Sequence, residues 1–220
     1  MRTPVLITNF KAIETCVGEN AVSMARKHET VAQSTGASIC VAVQTADIFR
    51  VAQSVNIPVF AQRAEPVSFG SKTGWTLPES LKMAGATGVI LHHSERRFED
   101  PAALGHTIAR CQEIGLCVVC CAESAAEGAE IFQKFAPDFV AVEPPELIGG
   151  DISISTAQPE LIADSVGAIG PGKVLAGAGV KNAQDVRTAL SLGAVGILVA
   201  SGVTKNEHPE KAIADLVSAF

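Results

Sequence analysis

An apolar run, Gly88-Val89-Ile90-Leu91, leads into two adjacent histidines and a charged turn, His92-His93-Ser94-Glu95-Arg96-Arg97. Imidazoles so placed can ligate a metal, move protons, or simply pack at a boundary. A second group with chemical potential is Glu143, which follows Phe139-Val140-Ala141-Val142 and precedes Pro144-Pro145. A carboxylate is a costly way to finish a buried strand unless it is used. Asn9 and Lys11 add an amide and an ammonium after the first apolar run. Gly177-Ala178-Gly179 and Ala200-Ser201-Gly202 are small-residue turns that expose backbone N–H groups, the raw material of an anion site. A base, an imidazole, an ammonium and anion-binding turns would together serve proton transfer on a phosphorylated substrate. Taken singly, each has an ordinary explanation: a boundary His, a solvated Lys, a common turn. Only convergence in space would give them meaning, so the question passes to the elements that carry them.

Short β-branched runs alternate with longer helical patterns. The runs fall at residues 5–8, 38–43, 58–61, 88–91, 116–121, 139–142, 174–176 and 196–199. Helical spacing marks residues 20–33, 102–114 and 182–192, the last two ending on Gly115 and Gly193. Continuous apolar strands separated by helices imply a parallel sheet covered by helices. Eight βα units in 220 residues predict a (β/α)8 barrel, α/β in class, formed by residues 1–220 as a single domain. A doubly wound open sheet is the rival, but no GxGxxG follows the first strand. A weak echo between residues 81–91 and 190–199 fits reuse of one βα module.

Active groups of such a barrel sit where its strands end. Asn9 and Lys11 then follow the first strand, His92-His93 the fourth and Glu143 the sixth. The two small-residue turns follow the seventh and eighth. Neighbouring side chains alternate faces, so only one of His92 and His93 enters the mouth; a two-histidine metal site needs both. Ser94 reads as an N-cap with Glu95 in the first turn of a short helix, and a helix N-terminus beside His93 disfavours the imidazolium.

Composition narrows the class. Hydrophobic residues at 47% against 18% charged describe a globular chain, and a net charge of −6 with scattered Lys and Arg argues against nucleic acid. No segment approaches a membrane span, and the opening MRTPVLITNFK lacks a cleavage pattern, so a soluble, cytoplasmic protein is expected. Cys117-Val-Val-Cys120 is formally CxxC, but it lies in a strand, where positions three apart face opposite ways. All six cysteines are expected to be reduced, the CxxC pair as core thiols.

Asn9-x-Lys11, His93-Ser94-Glu95-Arg96-Arg97 and Val142-Glu143-Pro144-Pro145-Glu146-Leu147-Ile148-Gly149 resemble the triosephosphate isomerase family in its shorter archaeal form. So do Gly177-Ala178-Gly179, Ala200-Ser201-Gly202 and the loop from Gln62 to Leu77 with its Gly70-Ser71-Lys72-Thr73-Gly74. The similarity runs nearly the whole chain in the right order. It implies an aldose–ketose isomerase of glycolysis and gluconeogenesis, interconverting dihydroxyacetone phosphate and D-glyceraldehyde 3-phosphate through an enediol(ate). Glu143 would be the base and His93 a neutral electrophile, a pairing of which this isomerase is the standard example. Lys11 and Asn9 would complete the catalytic set and bind substrate, with Ile148, Gly179, Ala200 and Ser201 offering N–H groups to the phosphate. No metal and no cofactor is implied.

The resemblance also implies a homo-oligomer, dimer or tetramer, with the loop from Gln62 to Leu77 at its interface and Thr73 near the partner's site. The segment from Pro144 to about Ser155 reads as a lid that excludes water, stiff at Pro-Pro and pliable at Gly149-Gly150. Some positions depart from the family pattern. His92 stands where a small or amide residue is more usual and is expected to face away. Gly149-Gly150-Asp151 replaces Gly-Thr-Gly in the lid, and Glu123-Ser124 replaces two asparagines. Cys121 matches a family cysteine behind the base and is expected to pack.

Overall fold

The computed structural model describes residues 2–148, 150 and 153–220. Eight strands close on themselves in chain order, all parallel: β1 Val5–Asn9, β2 Ser38–Val43, β3 Val59–Ala61, β4 Gly88–Leu91, β5 Cys117–Ala122, β6 Phe139–Val142, β7 Val174–Gly177 and β8 Gly196–Val199. β1 pairs with β2 on one side and β8 on the other, so the expected barrel is the one formed. Its interior is filled from alternate positions, Val5 and Ile7, Cys40 and Ala42, Ile90, Val119 and Cys121, Phe139 and Ala141, Leu175 and Leu198. Phe60 completes this core, and Gly88 opposite it has no room for a side chain, since a Cβ there would lie 2.4 Å from the ring.

The intervening positions face a second apolar layer beneath the helices. The main helices are α1 Glu19–Thr35, α2 Ile48–Ala52, α3 Pro78–Met83, α4 Pro101–Glu113 and α5 Ala125–Phe135. They are followed by α6 Ile154–Ala157, α7 Pro159–Ile169, α8 Ala183–Ser191, α9 Ser201–Thr204 and α10 Pro209–Val217. Starts are marked by proline at the first helical position of α4, α7 and α10, and Gly115 and Gly193 follow α4 and α8 with left-handed φ of 78° and 97°.

One buried polar contact pins α1 to β1 just below the mouth. His28 Nε2 lies 3.0 Å from Thr8 Oγ1, and its Nδ1–H donates to the Met24 carbonyl at 2.8 Å. Burial dominates and lowers the His28 pKa to about 4, against a smaller opposing pull from the Met24 carbonyl. Above pH 6.5 the ring is neutral in both folded and unfolded chains. Between 6.5 and about 4 the unfolded chain takes up a proton that the folded chain refuses, so stability falls as pH falls. About 1.5 kcal/mol should be lost from pH 6.5 to 5 through this one group. Urea unfolding of wild type and His28→Gln across that window should show the steeper slope in wild type; equal slopes would exclude His28 as the source.

Candidate active site

Glu143 reaches the mouth by simple alternation. Phe139 and Ala141 point into the barrel, and two residues further on so does Glu143, its N–H donating to the Ala122 carbonyl at 2.8 Å. The side chain is buried, with Cys121 behind it and Gly177 of β7 beneath it. Burial, reinforced by the neighbouring carboxylate, pushes the Cys121 thiol well above its ordinary range, so this cysteine packs as an uncharged group. Glu143 Oε2 is buried and has no hydrogen-bond partner among the described residues. It faces His93 Nε2 across 3.7 Å.

His93 is held by its own turn. Its Nδ1 accepts the Glu95 N–H at 3.1 Å, which makes His93 itself the N-cap of the short 3₁₀ turn Ser94–Arg96. Ser94 was the expected cap; the imidazole fills that role because its ring nitrogen already lies at the first free N–H. An accepting Nδ1 carries no proton, so in this arrangement the ring proton sits on Nε2 and points toward Glu143. His92 turns away as expected: its Nδ1 accepts the Phe98 N–H at 3.1 Å, outside the mouth. Glu123 and Ser124 have plain structural roles, Glu123 pairing with Arg97 at 2.6 Å and Ser124 capping α5.

Asn9 ends β1 facing inward, and its Oδ1 accepts the Lys11 N–H at 3.0 Å. Lys11 adopts a left-handed φ of 51° and sends Nζ to within 2.7 Å of Glu95 Oε1. Burial pushes the Glu95 carboxyl upward, but the Lys11 ammonium, by hydrogen bond and charge, outweighs it and holds the group below the usual carboxylate range. Two residues that the sequence reading gave no place in the site support this loop. Gln44 and Gln62 donate to the Lys11 carbonyl at 3.1 and 3.2 Å, bond to each other at 2.7 Å, and Gln62 also reaches Asn9 Oδ1 at 3.2 Å. They directly follow β2 and β3, so applying the strand-end rule to those strands as well would have found them.

On the opposite wall Ala178 and Gly179 both take left-handed φ of 71° after β7, and Ala200 leads into the open N-terminal end of α9. The first N–H groups of a helix have no intrahelical acceptor and face outward. Lys181 and Lys205, not singled out from the sequence, line the same end. A cavity of about 290 Å³ joins the walls, and Asn9, Lys11, His93, Glu143, Ile148, Gly179, Ala200 and Ser201 all line it. Of the segment expected to form a lid, Pro145–Leu147 form a 3₁₀ turn and Ile148 and Gly150 border the cavity, while Gly149, Asp151 and Ile152 lie outside the described residues. The CxxC cysteines diverge, Cys117 toward the barrel interior and Cys120 toward the helical layer.

A family model described as triosephosphate isomerase matches residues 4–220. The triosephosphate isomerase of Methanobacterium bryantii is 44% identical over 223 residues, covering 98% of this chain and 96% of its own. That of Saccharolobus solfataricus is 37% identical over 222 residues, covering 100% and 97%. The crystal structure of triosephosphate isomerase from Bartonella henselae aligns with a TM-score of 0.74 over 98% of this chain and 99% of that one; at 20% identity it speaks for the barrel alone. The sequence relatives and the family model run through every strand end that builds the cavity, and the chain belongs to the triosephosphate isomerase family.

Proposed function

We propose that Glu143 and His93, assisted by Lys11 and Asn9, perform the isomerisation of this family on a substrate whose phosphate is held by Ile148, Gly179, Ala200 and Ser201. The chain is an intramolecular aldose–ketose isomerase that interconverts dihydroxyacetone phosphate and D-glyceraldehyde 3-phosphate through an enediol(ate), a step of glycolysis. In the proposed assignment Glu143 removes the proton from the carbon next to the carbonyl and becomes a carboxylic acid. The carbonyl oxygen gains the charge. His93 Nε2–H donates to that oxygen and passes a proton between the two oxygens of the enediol, after which Glu143 returns its proton to the adjacent carbon. Lys11 lies across the mouth as a fixed positive charge for both enediolate and phosphate, and Asn9 hydrogen-bonds beside it. These donors stand in place before charge develops, which is where electrostatic catalysis is most effective. The small turns after β7 and β8, together with the start of a short extra helix, are the usual phosphate site of such barrels.

The observation that carries the assignment is the buried Oε2 of Glu143, without a hydrogen-bond partner among the described residues, facing His93 Nε2 across 3.7 Å inside the cavity. The test is a coupled assay with D-glyceraldehyde 3-phosphate on wild type, Glu143→Gln and His93→Gln. Wild type should turn over and both folded variants should fall by orders of magnitude. Wild type that is inactive yet binds 2-phosphoglycolate would leave the pocket and remove the assigned chemistry.

The single-domain reading is supported by one barrel taking in all strands, from Val5 to Val199. A cytoplasmic setting suits a glycolytic enzyme, and among the described residues no helix is long and apolar enough to cross a membrane. The homo-oligomer is supported by the long loop after β3. Phe69 and Trp75 are 69% and 51% exposed on it, while its base is tied by Glu65 and Thr76. Large aromatics presented on a braced loop suit burial against a second copy. Analytical ultracentrifugation at micromolar concentration should give a dimer or tetramer, and a monomer would overturn this part.

A further inference from the structure

Continued alternation along β4 would deliver the wrong histidine. Ile90 packs inside the barrel and Leu91 outside it, so the next inward position is 92. The chain breaks the pattern at His92, which takes a left-handed φ of 60°, a conformation disfavoured for any residue with a Cβ. That one residue reverses the order: the His92 ring goes outward and His93 enters the mouth.

The turn is held from outside by the His92 ring. Nδ1 accepts the Phe98 N–H at 3.1 Å and Nε2 lies 3.4 Å from Glu127 Oε1. Glu127 is itself fixed, its other oxygen accepting the Glu123 N–H at 2.7 Å. The ring stacks with Phe98 at 6.3 Å between centroids and an interplanar angle of 25°, and the Arg63 guanidinium covers Phe98 at 3.9 Å. Arg63 also donates to the Arg96 carbonyl at 2.7 Å, so the far end of the His93 turn is tied to the same stack. We propose that His92 is a positioning residue for the isomerisation, its outward-anchored ring holding the left-handed turn that presents His93 Nε2–H to Glu143. The proposal rests on His93 being the electrophile. A donor aimed at one oxygen loses effect with small errors of direction, whereas the backbone phosphate grip of Gly179, Ala200 and Ser201 lies on the opposite wall, away from this turn.

His92→Gly keeps the left-handed turn at no steric cost and removes the anchor. It should lower kcat about 10- to 100-fold with KM within about threefold, on the scale that an ångström of misplacement costs. The ring nitrogens of His93, assigned in ¹⁵N NMR by their loss in His93→Gln, should shift as the Glu95 N–H···Nδ1 bond loosens. Glu127→Gln, which keeps residue 92 and weakens both its anchor and the Arg97 pair at the end of the turn, should move kcat and the same signals in the same direction by less, and it carries the test if His92→Gly does not fold. Lowered thermal stability with wild-type kcat and unmoved His93 signals would overturn the proposal and leave His92 a packing residue. Near wild-type kcat in His93→Gln would instead overturn the assignment of His93, and with it any role for its orientation.

Discussion

Glu143→Gln should lower kcat for D-glyceraldehyde 3-phosphate by about 10³- to 10⁴-fold, the upper part of the range for loss of a general base, with KM within a few-fold of wild type. The substitution is nearly isosteric, so the side chain still fits between Cys121 and the Gly177 backbone. What it loses is the ability to take a proton from carbon. The loss corresponds to about 4–5.5 kcal/mol of transition-state stabilisation and very little of substrate binding, because the phosphate contacts lie on another wall. Stability should move the other way. Oε2 is a buried carboxylate oxygen with no partner among the described residues, and a neutral amide in its place costs less to desolvate. A melting temperature equal to or above that of wild type, with activity nearly abolished, is therefore the expected pair of results. Activity within tenfold of wild type would reject Glu143 as the base.

The legible parts of this site are those reached by regular geometry. Asn9 and Glu143 stand at the inward phase of strands whose alternation is unbroken, Val5, Ile7, Asn9 and Phe139, Ala141, Glu143, so their convergence followed from the barrel. His93 did not. Counting along β4 points to His92, and only the left-handed turn at that residue, a tertiary choice stabilised by Phe98 and Glu127, reverses it. The cap was lost for a related reason: a serine is a common N-cap, and nothing in a sequence says that the preceding imidazole has turned to occupy the site. The long amphipathic helices α1 and α4 were readable from their spacing, whereas α6 and α9, at four residues each, are too short to have a period. Gln44 and Gln62 show a third kind of miss. They hold the left-handed Lys11 by its carbonyl, a task that carries no chemical signature, so only their place after a strand could have marked them.

Gly177→Ala tests how closely the base must be seated. A Cβ at this position would lie 2.3 Å from Glu143 Cγ and 2.8 Å from its carboxyl carbon and Oε1. Such distances cannot stand, and the group in the way is a side chain, so relief comes from Glu143 rotating rather than from the barrel opening. Residue 177 is in the last turn of strand geometry with no left-handed φ, and alanine suits its backbone. The variant should therefore fold, with kcat reduced about 100-fold by displacement of the base. Binding of 2-phosphoglycolate should change less than kcat. A general loss of stability could imitate the first result, so the decisive measurement is the double variant. If the methyl acts through Glu143, adding Gly177→Ala to Glu143→Gln costs little more activity than Glu143→Gln alone, because the displaced group no longer accepts a proton. If the two losses multiply, the methyl acts on something other than the base, and the close approach of Gly177 to Glu143 is packing without catalytic consequence.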